Sequence, residues 1–180
     1  MRISRGKSTS IKFLREQERN AIEALELRDG HDVARDMFIF SCYTGLAYSD
    51  LVKITKDDIE EDGDKMMIQD RRQKTGSEYK IVLLPKAIEI LKKYDFNLNR
   101  LTNQKCNEYL KTIAHMCKIK INLTMHVGRH TFATWALKKG VPIEVVSKML
   151  AHADISTTQI YAKILQEEVD KGYDTLMAGA

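Results

Sequence analysis

His126, Arg129, His152 and Tyr161 all lie in the last third of the chain, and their side chains can act together on a phosphate. His126 and Arg129 stand three apart, so on a helix they share one face. A guanidinium there can hold phosphate oxygens through two parallel N–H bonds, and an imidazole beside it can donate or move a proton. Tyr161 adds a phenol, a weak nucleophile near neutral pH until a base takes its proton. Taken singly, each residue also has a plain structural explanation. His126 and Arg129 suit an exposed helix surface, His152 suits a carboxyl-terminal helix cap, and Tyr161 suits a ring packed on the preceding helix. A second basic group, Arg71, Arg72 and Lys74, falls in a polar stretch between two apolar runs, where solvation and contact with a phosphate backbone are equally natural.

The elements that must position these residues can be read from periodicity and punctuation. Ile11 to Arg28 predicts an amphipathic helix stopping near Asp29-Gly30, and His31 to Tyr43 a second, apolar toward its end and broken at Thr44-Gly45. Ala47 to Lys53 predicts a short helical turn. Lys65 to Ile68 and Tyr79 to Leu84 favour strands, so the middle reads as a β-hairpin with a cationic tip, with a further short strand near Ile59. Arg72 and Lys74, two apart, would point the same way along one strand edge. Pro85 to Tyr94 predicts a helix with proline in its first turn, and Leu101 to Cys117 another, capped by Thr102 or Asn103. Beyond these come helices over His126 to Lys139, Pro142 to Leu150, a short one over Ser156 to Ala162 with Ser156 as N-cap, and Leu165 to Met177. The fold class expected is mainly α with a small antiparallel β-sheet (α+β).

A chain of 180 residues suits one domain with one sizeable core. With 29 basic and 25 acidic residues the net charge is +4, which permits a nucleic-acid partner without demanding one. Arg2, Arg5, Lys7, Lys12, Arg15 and Arg19 cluster near the amino terminus against Glu16 and Glu18 alone, suited equally to a solvated lead-in and to DNA contact. Cys42, Cys106 and Cys117 form no paired pattern, which argues against a zinc site or disulfide framework, and Cys42 reads as a small core residue. No apolar stretch is long enough for a membrane span and no signal peptide is visible, so a reducing, cytoplasmic setting is expected.

The string as a whole carries more than its parts. His126-Val127-Gly128-Arg129-His130-Thr131-Phe132-Ala133-Thr134 resembles the His-x-x-Arg box of tyrosine recombinases, the phage integrase family. Val146-Ser147-Lys148-Met149-Leu150-Ala151-His152 resembles the helix that follows it, and Thr157-Thr158-Gln159-Ile160-Tyr161-Ala162 the segment bearing the nucleophile. Upstream, Thr44-Gly45-Leu46 and Ser49-Asp50-Leu51 resemble the first box, and Lys74 lies where the family has a hairpin lysine. The resemblance runs from about Phe13 to Leu165. It implies the family's catalytic-domain fold over residues 11–180, with 1–10 as a basic lead-in. The amino-terminal DNA-clamping domain of full-length relatives has no counterpart in these 180 residues.

The same resemblance implies a mechanism and partners. Tyr161 would attack a scissile phosphodiester, forming a 3′-phosphotyrosyl link and freeing a 5′-hydroxyl. His126 would act as base, Arg129 and His152 would stabilise charge on the non-bridging oxygens, and Lys74 would protonate the leaving oxygen. The bond energy is kept in the covalent link, so no cofactor, metal or ATP is required. Double-stranded DNA is the expected partner, contacted by Arg71, Lys74, Arg129, His130 and Lys148, with further protomers assembled in a tetrameric synapse. No membrane and no small-molecule cofactor enter this picture. One departure stands out: the family usually has arginine directly after Thr-Gly-Leu, and here Ala47 occupies that place. A subgroup of the family shares the gap. Arg72 is the candidate to supply the second cation. The rival expectation, supported by Ala47, is a DNA-binding module of the same fold that has lost strand cleavage.

Overall fold

A computed structural model describes residues 11–71, 74, 76 and 78–178, with Arg71 described in its backbone alone. The elements in chain order are α1 (Glu16–Glu23), α2 (Asp29–Thr44), α3 (Tyr48–Leu51), β1 (Ile59–Asp62), β2 (Lys65–Arg71), β3 (Glu78–Val82), α4 (Pro85–Lys93), α5 (Asn103–Met116), α6 (Met125–Lys138), α7 (Ile143–Met149) and α8 (Ser156–Ala178). The mainly helical class with a small sheet is therefore the observed one. Helix α2 is the centre. Its apolar run Met37-Phe38-Ile39-Phe40 is inaccessible to solvent on every side, which a helix tolerates only when other helices surround it. Here α4, α5 and α6 all pack against it. The main core gathers α2 with Leu51, Ile68, Ile81, Leu91, Leu110 and Leu123, and Cys42 sits within it.

The three strands pair antiparallel in the order β1-β2-β3, including the short strand expected near Ile59. Along β3 burial alternates, with Tyr79 and Ile81 turned inward and Lys80 outward, as one covered sheet face requires. Arg71 pairs with Glu78 at the end of the ladder. Lys74 follows in the turn rather than on the strand, so strand alternation does not pair it with Arg72. Arg72 itself lies outside the described residues. A 2.9 Å ion pair between Lys53 and Asp70 ties the hairpin to the segment after α3.

Two helix expectations are corrected. The first helix covers Glu16–Glu23 alone. Before it the chain runs extended, because the Leu14 N–H donates to Thr131 Oγ1 on α6 at 3.0 Å. After it, the Leu25 carbonyl accepts a hydrogen bond from Arg35. Tertiary partners thus take backbone groups that a longer helix would have used itself. At the other end, the two helices expected over 156–162 and 165–177 are one continuous helix, α8. Ala162, Lys163, Ile164 and Leu165 offer nothing to break it. Among the described residues no helix is long and apolar enough to cross a membrane.

Candidate functional site: a cationic, histidine-rich centre around Tyr161

Helix α6 carries His126, Arg129 and His130, and its position follows from two contacts. Asn107 of α5 caps its start, Oδ1 accepting the Met125 N–H at 2.8 Å. Gly128 lies so close to α2 that a Cβ there would fall 2.8 Å from Ser41 Oγ. Arg129 is then fixed at both ends of its guanidinium. One terminal nitrogen donates to the Gly45 carbonyl and the other to the Leu150 carbonyl, each at 2.7 Å. The Thr-Gly-Leu box thus serves as a seat for Arg129. Gly45 has a φ of 71°, and a Cβ on it would meet Phe132 at 2.6 Å and Leu150 at 2.8 Å, so the seat requires glycine both for its backbone and for its space.

Tyr161 is carried in by α8. Thr158 and Tyr161, three apart, form the buried face of that helix. The Tyr161 ring packs in a second small core with Phe132, Ala133, Ala136, Val146 and Leu150 and is 3% exposed. Two hydrogen bonds clasp this helix to the rest: Thr158 Oγ1 lies 2.7 Å from His152 Nδ1, and Tyr161 Oη lies 2.7 Å from His130 Nδ1. Asp154 holds the helix start, its carboxylate accepting the Ser156 N–H at 2.8 Å. Ser156, expected as the N-cap, is instead the first helical residue.

Electrostatics bind the group together. Burial pushes the His126 imidazole toward its neutral form, and the charges of Arg129 and Lys74 push the same way. Lys74, at the hairpin turn, therefore acts on the same place as Arg129. His130 is pushed down to about 4, first by burial and then by His126, Arg129 and His152. Burial raises Tyr161, opposed by Arg129. The site is strongly cationic, and His126 and His130 are both pushed toward their neutral forms.

The chain matches the model of the phage integrase family over residues 12–168. It belongs to that family. It is 30% identical over 141 residues to tyrosine recombinase XerA of Saccharolobus solfataricus, a match covering 76% of this chain and 48% of that protein. It is 38% identical over 74 residues to tyrosine recombinase XerD of Staphylococcus aureus, covering 41% and 25%. The chain thus spans about half or less of the length of these curated relatives. Among solved structures, the XerH site-specific recombinase in a post-cleavage complex with difH substrate superposes with a TM-score of 0.74 at 17% identity, over 91% of this chain and 52% of that one. The catalytic domain of bacteriophage HP1 integrase gives 0.63 at 20% identity, covering 85% and 88%. These two likenesses establish the fold.

Of the residues named from the sequence boxes, the structure brings His126, Arg129, His152 and Tyr161 together around His130, and Lys74 acts electrostatically on His126. Ala47, in the place of the usual arginine, shares with His126 the lining of an open cavity of about 390 Å³, so the missing side chain leaves space at the site. Lys148 is exposed and lines, with Lys80 and His152, a groove of about 500 Å³ between β3 and α7. His130, expected as a DNA contact, has its Nδ1 engaged with Tyr161. His126, expected as the base, makes no hydrogen bond to Tyr161 among the described residues, and its ring stands edge-on to His130 at 4.2 Å. Sequence reading passed over Thr158, the Gly45 and Leu150 carbonyls, and the contact of His130 with the phenol. The two carbonyls carry no side-chain signal. His130 had one, an imidazole next to Arg129 in the box.

His152 reaches the site because the chain turns sharply at Ala151, whose φ is +48°. An L side chain there costs about 1–2 kcal/mol, of which glycine recovers all but the extra freedom it adds to the unfolded chain. Ala151→Gly is expected to raise stability by about 0.5–1 kcal/mol, seen as a melting temperature a few degrees higher. A lowered melting temperature would show that packing of the Ala151 methyl outweighs the strain.

Proposed function

We propose that this chain is the catalytic domain of a site-specific DNA recombinase, cutting and rejoining duplex DNA through a 3′-phosphotyrosyl link at Tyr161. The observation that carries the reading is the clasp: two part-buried side-chain hydrogen bonds hold the start of α8, and one of them brings Tyr161 to His130 on the cationic face of α6. A phenol so placed beside a doubly anchored guanidinium is suited to attack a phosphorus atom whose oxygens that guanidinium holds. Arg129, His126 and His152 would meet the charge on the non-bridging oxygens. Lys74 would protonate the leaving 5′-oxygen, and Arg72, on the same hairpin in sequence, would supply the cation that Ala47 does not. Arg71, Lys74, Lys148 and Lys80 would follow the DNA backbone. XerH is bound to its difH substrate in the complex similar in fold to this chain, and DNA is the ligand proposed here.

Partner copies enter through α8. Beyond Leu165 every described residue of this helix is exposed, and Val169, Tyr173 and Leu176 form an apolar stripe 51, 65 and 71% exposed. Such a stripe along one helix face asks for cover, and a second copy in a tetrameric synapse would provide it. A second reading, a DNA-binding module without cleavage, is favoured by Ala47 alone.

A nicked duplex, which traps the covalent product by losing the short strand after cleavage, separates the two readings. The expected result is a protein–DNA adduct that resists denaturant and yields to protease, formed equally well in excess EDTA, because arginine, lysine and histidine supply all the positive charge in this mechanism. DNA binding without adduct would leave the module. Adduct that vanishes with EDTA and returns with added Mg²⁺ would overturn the metal-free chemistry.

A further inference from the structure

We infer that His130, through Nδ1, is the base that takes the proton of Tyr161 Oη as that oxygen attacks the scissile phosphorus. The inference rests on the reading of Tyr161 as the nucleophile and adds to it the destination of the phenolic proton. Of the three imidazoles at the site, only that of His130 touches the phenol oxygen, at 2.7 Å with ring centroids 5.5 Å apart. The direction of that bond follows from accounting for the phenol. Tyr161 Oη is buried and makes no other hydrogen bond among the described residues, so its O–H must be donated to Nδ1 if it is to be satisfied. His130 must then be neutral, with its proton on Nε2 and its Nδ1 lone pair facing the nucleophile.

The surroundings keep it so until DNA arrives. Burial and the charged or chargeable groups facing it, His126 and Arg129 on its own helix and His152 before α8, hold its protonation down to about 4. In the free protein such a weak base cannot take a proton from a phenol that burial has pushed above its ordinary range, and Tyr161 stays protonated and inert. A phosphodiester brings a negative charge into the middle of those cations. That charge offsets the repulsion that disfavours imidazolium, so His130 becomes a better base when the phosphorus is in reach. The atoms balance: the Oη–P bond forms as the P–O5′ bond breaks, the phenolic proton passes to His130 Nδ1, and the 5′-oxygen receives a proton from Lys74. Rejoining runs the same steps backward, with His130 returning its proton to the departing tyrosine.

The test uses the full chain, the nicked duplex, and two variants. In His130→Asn, Oδ1 stands in the place of Nδ1 and accepts the phenolic hydrogen bond but cannot keep the proton; His130→Ala removes both. Both are expected, on DNA at saturating protein, to form adduct about 10²–10⁴-fold more slowly. Between about pH 7 and pH 9 the Asn variant should recover about tenfold per unit, because solvent hydroxide then supplies the phenolate, while the unaltered chain rises less steeply. A duplex with sulfur in place of the scissile 5′-oxygen, which leaves without a proton, should restore Lys74→Ala but not His130→Asn. Adduct formation by His130→Asn within about threefold of the unaltered chain, faster formation, or a loss indifferent to pH overturns the assignment and leaves Tyr161 as nucleophile intact. No adduct from the unaltered chain removes the nucleophile, and His130 with it.

Discussion

Tyr161→Phe is expected to give a folded, DNA-binding protein that forms no covalent adduct with nicked DNA. The substitution removes one atom, and that atom is the proposed attacking oxygen. The ring that remains still fills the small core formed by Phe132, Ala133, Ala136, Val146 and Leu150. The structural cost is one hydrogen bond, to His130, or about 0.5–1.5 kcal/mol. For a chain of this size that lowers the melting temperature by only a few degrees. The effect on cleavage is therefore separable from the effect on folding: total in one assay and slight in the other. A protease-sensitive, DNA-linked species from the Phe variant would place the nucleophile elsewhere.

Arg129→Ala is expected to damage both. Its guanidinium donates to the carbonyls of Gly45 and Leu150, two buried positions whose hydrogen bonds to a charged group are worth about 1.5–3 kcal/mol each. Their loss unfastens the first box from the end of α7, the two elements that Arg129 spans. The chemistry suffers separately. Losing a charged contact to the transition state costs a further factor of about 10²–10³ in cleavage. The field of the site changes as well: without the Arg129 charge, His126 and His130 accept protons more readily and Tyr161 loses its proton less readily, since Arg129 depresses all three. Arg129→Lys is the informative companion. A single ammonium keeps the charge but cannot bridge two carbonyls and a phosphate. Cleavage should stay well below that of the unaltered chain while the imidazoles titrate nearly as before, followed by their ring-proton resonances. Full activity in the Lys variant would mean that charge alone, and not the anchored plane of the guanidinium, serves the phosphate.

Local sequence determined the components. The spacing of His126 and Arg129, the punctuation at Gly45, and the proline at the start of α4 depend on helix geometry and backbone freedom within a few residues, so they could be read in a single chain. The boxes gave the family, and the tyrosine proposed as nucleophile, because their residue types recur at fixed spacings. What the tertiary structure decided depends on contacts between residues far apart in sequence. Leu14 turns to Thr131, 117 residues away, and so the first helix is shorter than its pattern. Arg129 takes its orientation from a carbonyl 84 residues upstream. Which histidine meets Tyr161 was settled the same way. His126 and His130 are one helical turn apart on α6, and only the docking of α8 against that helix selects His130. A linear pattern can name an imidazole in the right box, but the partner of a buried phenol is fixed by how two helices pack, and no spacing rule within either helix contains that information.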